Sequence, residues 1–235
     1  MKSLVKRIVP NVQRSSAALT LLALLAWSSA QSVPTTTTSS ALAECELLFK
    51  NKAYTDALQS CKPLAEQEMA PAQYIMGRIY NDGYVVAGNP RTAVQWFLRA
   101  ANLDYTEGQY YLGRAYLAGR GIGVDVNKAQ EWFQKAADKG YVDALFQLGA
   151  IYYNRRADYE KGVFYTRQAA CKGSVEARKN MITIHSTGIG DLLSCKFAAW
   201  WAEKASSQSE SARVYYLNVT RDPNCIPDPN YSPCT

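Results

Sequence analysis

One histidine in 235 residues excludes a zinc site built on two or more imidazoles and an HExxH protease helix, because the ligands are missing. No GxxxxGK[ST] loop is present to cradle phosphate, and no GxGxxG follows a strand pattern, so nucleotide chemistry has no support. A CxxC pair is absent, which removes a thioredoxin-type redox role. Beyond residue 30 there is no Ser-x-x-Lys pair, which counts against a penicillin-binding hydrolase. No catalytic residue, metal site or cofactor is expected from these residues. What remains is 48% hydrophobic and 11% aromatic, a composition that buries a core and argues against a disordered chain.

The first thirty residues carry Lys2, Lys6, Arg7 and Arg14, then an apolar run from Ala17 to Trp27, then Ser28, Ser29 and Ala30. A basic region, an apolar stretch and small residues before a cut describe a secretory signal peptide, with cleavage expected near Ala30. The run is shorter than the roughly 20 residues that span a bilayer. Removing residues 1–30 takes away four basic and no acidic residues, leaving 22 basic against 20 acidic. A nearly neutral mature chain gives no reason to expect nucleic acid, whose binders carry a basic face. Residues 31–40, with Thr35 to Thr38 in a row, read as a Thr/Ser-rich linker. The expected destination is the periplasm or the exterior, with the membrane touched only through partners.

Self-comparison organises the rest. Ala72-Gln73-Tyr74-Ile75-Met76-Gly77-Arg78-Ile79-Tyr80 recurs 36 residues later as Gly108 to Tyr116, and again after 36 as Ala144 to Tyr152. A degraded copy runs from Ala177 through Met181 to His185. Ala93 to Ala101, with Trp96 and Phe97, likewise returns as Ala129 to Ala137, with Trp132 and Phe133. Weaker versions run from Gly162 to Ala170 and from Ala198 to Ser206. Small, aromatic, aliphatic, glycine and aromatic residues at relative positions 1, 3, 5, 6 and 9 make one helical face, not strand alternation. Glycine on that face costs about 1 kcal/mol of helix propensity, so close approach of a facing aromatic from the next helix must compensate. A helix pair of this size buries its apolar face only by stacking on its neighbours.

These motifs resemble Sel-one-like repeats, relatives of the tetratricopeptide repeat, over residues 71–206, with units at about 71–106, 107–142, 143–174 and 175–206. The third turn, Asn154 to Tyr159, departs from the pattern by lacking glycine. The resemblance implies an all-α, right-handed α-solenoid of stacked antiparallel helix pairs. Residues 41–70 read as an N-terminal capping hairpin turning near Asn51-Lys52-Ala53, and residues 207–235 as a C-terminal capping helix with a Pro/Cys tail. By similarity to tetratricopeptide units, the concave face is lined three before, one after and four after the glycine. That carries over Tyr74, Arg78 and Asn81; Tyr110, Arg114 and Leu117; and Phe146, Ala150 and Tyr153. An aromatic row beside two arginines suits an extended peptide or a partner helix. The fourth unit has Lys179 and Thr183 there, so the groove is not expected to continue unchanged.

Six cysteines in an exported chain favour disulfides. Cys45 and Cys61 lie eight residues either side of Ala53, so a hairpin turning there sets them level on facing helices. Cys171 and Cys195 fall at opposite ends of parallel helices, too far apart to bond directly. The favoured pairing is then Cys195 with Cys225 and Cys171 with Cys234, with a local Cys225–Cys234 loop as the competitor. His185 stands in the place of Tyr80, Tyr116 and Tyr152, which reads as a structural substitute and not as a general base. The resemblance implies an interaction scaffold for an envelope or secreted protein, with family roles in flagellar motors, exopolysaccharide export or control of a membrane sensor. A secreted host-interaction factor is the alternative, and an envelope hydrolase or penicillin-binding repeat protein the second.

Overall fold

The computed structural model of the chain describes residues 35–85, 87–154, 158–188, 194–230 and 232–234. The expected signal peptide lies outside them. Eleven α-helices follow one another: α1 (Thr35–Lys50), α2 (Tyr54–Glu66), α3 (Ala70–Asp82), α4 (Pro90–Asn102), α5 (Thr106–Ala118), α6 (Val126–Asp138), α7 (Val142–Asn154), α8 (Tyr159–Cys171), α9 (Val175–Thr187), α10 (Cys195–Ala205) and α11 (Glu210–Val219). A short 3-10 turn at Pro223–Cys225 ends the series, and no strand occurs among the described residues. Each helix packs on the next, and first helices of successive pairs also touch, α1 on α3 and α3 on α5. The result is a right-handed α-solenoid. No helix among the described residues is long and apolar enough to cross a membrane.

One boundary differs from the sequence reading: residues 35–40, assigned to the linker, form the first turns of α1. Threonine and serine tolerate a helix start, where backbone N–H groups have no partner within the helix. The packing of Ala41, Leu42, Leu48 and Phe49 on the first core cluster favours helix through that stretch.

The repeated sequence writes repeated helix ends. Asn89 and Asp125 cap α4 and α6 by accepting from the N–H of Thr92 (3.1 Å) and Lys128 (3.0 Å). Their own N–H groups donate to the carbonyls of Tyr80 (2.9 Å) and Tyr116 (3.0 Å), closing each connection. In the fourth unit Ser194 donates to His185 in the same way at 2.9 Å. Gly83, Gly119 and Gly188 end α3, α5 and α9 with φ of 69°, 68° and 67°, the left-handed conformation that side chains disfavour. The third turn, which lacks glycine in sequence, includes residues 155–157, outside the described set.

The glycine on each first helix is occupied from behind. A Cβ on Gly77 would strike the ring of Phe97, and one on Gly113 would meet Phe133 Cδ1 at 2.8 Å. Phe97 and Phe133 are buried, so the ring fills the space that glycine leaves. The compensating aromatic is the phenylalanine and not the neighbouring tryptophan, since Trp96 and Trp132 are only partly buried. In the third unit both sides shrink, with Gly149 against Thr166 and Gly162 against the backbone of Tyr153. Between the fourth pair the volume moves to the other helix, as Ile182 on α9 and Ala202 on α10 are both buried.

Cys45 joins Cys61 with 5.1 Å between Cα atoms, clipping α1 to α2. Cys171 joins Cys234 at 5.5 Å and Cys195 joins Cys225 at 5.0 Å, so the tail folds back over α8 and α10. No free cysteine is found among the described residues.

Candidate concave interaction site

Arg78 is the centre of the site. Its Nη1 donates to the Tyr74 hydroxyl at 3.0 Å, one turn earlier on α3, and its Nε to Asp82 at 3.1 Å, one turn later. The guanidinium lies over the rings of Tyr111 (4.7 Å), Phe49 (5.8 Å) and Tyr74 (5.9 Å), so three helices converge on one cation. Burial works against its charge, but Tyr74, Tyr111 and Asp82 outweigh it and hold the proton more firmly than usual. Burial also pushes the Tyr74 hydroxyl up to about 12 against the pull of Arg78. Burial of Asp82 is overcome by hydrogen bonds from Tyr84 and Asn81 and by Arg78, leaving its carboxyl below the usual range.

Arg114, one unit on, lies over Tyr111 (5.5 Å) and Tyr110 (5.9 Å) and is exposed. Tyr110 differs from the expected groove contact: it is 7% exposed, because its ring fills the space between Phe133 and Tyr141, at 5.8 and 5.0 Å. It forms floor and not surface. Three rings absent from the sequence reading complete the cluster. Tyr111 stands 5.5 Å from Tyr74, Tyr105 stands 5.7 Å from Tyr74, and Tyr141 packs on Tyr110. Tyr105 and Tyr141 immediately precede α5 and α7 at the 36-residue spacing, a signal just outside the nine-residue motif. Both hydroxyls are held well above the usual range, first by burial and then by carboxylates, Glu107 beside Tyr105 and Asp143 beside Tyr141.

The remaining candidates divide. Asn81 donates its amide to Asp82 (2.6 Å) and its carbonyl accepts from Arg120 (2.7 Å), so it ties the turn together. Leu117 and Phe146 are half-buried against the large core cluster. Tyr153 pairs with Tyr159 at 5.0 Å and lines a cleft between α7 and α9 with Ala150 and Thr183. His185 is 7% exposed, packed edge-on to Phe197 at 5.3 Å. Rings flanked by cations and carboxylates bind side chains by apolar contact and charge.

Helix pairs stacked one on the next define the class: a repeat α-solenoid. A family model for the Sel1 repeat matches residues 70–105, 106–141, 142–174 and 184–210, and the chain belongs to that family. Sel1 repeats mediate protein–protein interactions, so the chain is a scaffold of that kind. A Sel1 repeat protein from Oxalobacter formigenes is 24% identical with a TM-score of 0.68, over 78% of this chain and 77% of that one. The protein c5321, a protective antigen present in uropathogenic Escherichia coli strains and displaying an SLR fold, is 25% identical with a TM-score of 0.69. That match covers 74% of this chain and 38% of the antigen. No curated protein matches the chain.

Proposed function

We propose that the protein works outside the cytosol, in the periplasm or after secretion, as a scaffold whose concave face holds another envelope or secreted protein and performs no chemistry of its own. The observation that carries the reading is the convergence of Tyr74, Tyr105, Tyr111, Arg78 and Arg114 in one cluster of rings and cations. Aromatic and arginine side chains concentrate binding energy at interfaces. Three disulfides support an oxidising compartment, as does the basic and apolar start of the sequence. His185, buried on Phe197 in the place of a repeat tyrosine, supports a structural role. Assembly of a flagellar motor, exopolysaccharide export or control of a membrane sensor all fall within this reading.

In-cell crosslinking with a photoreactive residue at Arg114 should trap one envelope protein, identified by mass spectrometry. Arg114→Glu should abolish its capture by the purified protein at unchanged helical content. Equal capture by the variant would remove the concave face from the proposal. The likeness to a protective antigen favours a secreted host-interaction factor as the second reading. Trapping of a host protein instead would select it.

A further inference from the structure

In the first two units Arg78 and Arg114 occupy the position after the glycine, while Phe97 and Phe133 fill the space behind it. The third unit replaces both with small residues, Ala150 and Thr166. Beside these residues lies a cleft of about 310 Å³ between α7 and α9, lined by Gly149, Ala150, Thr166 and Ile184 and walled by Tyr153. That is the lower end of the range for ligand pockets and corresponds to roughly ten waters by liquid volume. No lining side chain carries a charge, so a carboxylate or ammonium seated there would have no counter-ion and would lose its hydration. An aliphatic or aromatic group suffers no such loss. At the rim, Asn180 is exposed and offers an amide, donor and acceptor at once, to the backbone of an extended segment.

Arg114 holds in the second unit the repeat position that Ala150 holds in the third. Arg78 is satisfied by Asp82 at 3.1 Å. Arg114 is exposed, lies only over rings, and has no ion pair among the described residues. We propose that the cleft is an anchor pocket: the partner presents an extended segment that seats one uncharged apolar side chain on Ala150, Tyr153 and Ile184, with an acidic residue beside it pairing with Arg114. This inference rests on the scaffold reading and specifies the chemistry of what the scaffold holds.

Random dodecapeptides displayed on phage and selected on the purified, oxidised protein should converge on a large apolar residue near an Asp or Glu. Selection on Ala150→Arg, which refills the cleft with the side chain of the first two units, should lose the apolar preference and keep the acidic one. Arg114→Gln should do the reverse. For a synthetic selected peptide, fluorescence anisotropy should show about tenfold or greater weakening by Ala150→Arg and by Thr183→Phe, the loss expected when a leucine-sized group stays exposed. Ala150 is half-buried and Thr183 exposed, on different helices, so one variant checks the other. Selected peptides without an apolar residue, or affinity indifferent to both substitutions, would overturn the anchor pocket and leave the scaffold reading standing. Failure to enrich any peptide would overturn both.

Discussion

At the scale of single residues, the glycines separate into those that packing requires and those that it does not. Gly113→Ala gains about 1 kcal/mol of helix propensity, but the new methyl meets the buried Phe133 ring at 2.8 Å, and overpacking of this kind costs about 1–3 kcal/mol. A lower melting temperature by a few degrees is expected from calorimetry. Gly123→Ala, with nothing within 4 Å of the added carbon, should leave it unchanged. The tight turns between helices supply the converse. Lys52, Glu68 and Asp104 hold φ near 60° where later turns use Gly140 and Gly173. Glu68→Gly removes the left-handed strain at its site and should raise stability by about 0.5–1 kcal/mol in urea titration. Asp104→Gly should gain less, because Asp104 also binds Lys139 and the Gln109 amide. The chemistry of the aromatic and arginine cluster was only partly legible at this scale. Tyr74, Arg78 and Arg114 stand at positions that the repeat marks, whereas Tyr111 stands where the units vary, with Ile75 and Gln147 in its place, and Tyr105 and Tyr141 fall before the motif. Periodicity finds what recurs, and these rings converge from positions that recur imperfectly.

At the scale of the element, helix spans followed the period closely because the first, second and fourth units carry their own start and stop signals. Asn89 and Asp125 open second helices, and Gly83 and Gly119 close first ones. What the period could not reveal was the transfer of volume across each pair, from Gly77 and Phe97 to Gly149 and Thr166 to Ile182 and Ala202, since it depends on two residues far apart in sequence. The start of α1 was missed for a simpler reason: threonine-rich composition reads as spacer until the apolar residues behind it are seen to pack. The last helices hold their place through the tail. Replacing Cys171 and Cys234 by serine opens a loop of 63 residues, worth about 4 kcal/mol in the chain-entropy picture. The double variant should show a lower urea midpoint, and amides of α10 and α11 should exchange ahead of those in α5 and α6.

At the scale of the whole molecule, alkaline stability follows from the tyrosine cluster. Tyr74 is pushed up to about 12, and Tyr105 and Tyr141 are likewise held above their ordinary range by burial. In the unfolded chain these hydroxyls ionise near 10. Their contribution is therefore fully present below pH 10 and is lost as pH rises through the folded values. Tyrosinate absorbance and circular dichroism should change together between about pH 10 and 12, with the clustered tyrosines ionising only as the helices melt. Full ionisation while the helices persist would contradict this coupling. The tail disulfides carry a mechanical meaning as well. Tension applied to the chain beyond Cys234 enters the fold at Cys171, in α8, and bypasses residues 172–233 between them. Roughly 200 Å of extensible chain is thereby withheld from the load. A partner tugging on that end would strain the middle of the solenoid before it could unravel the last helices.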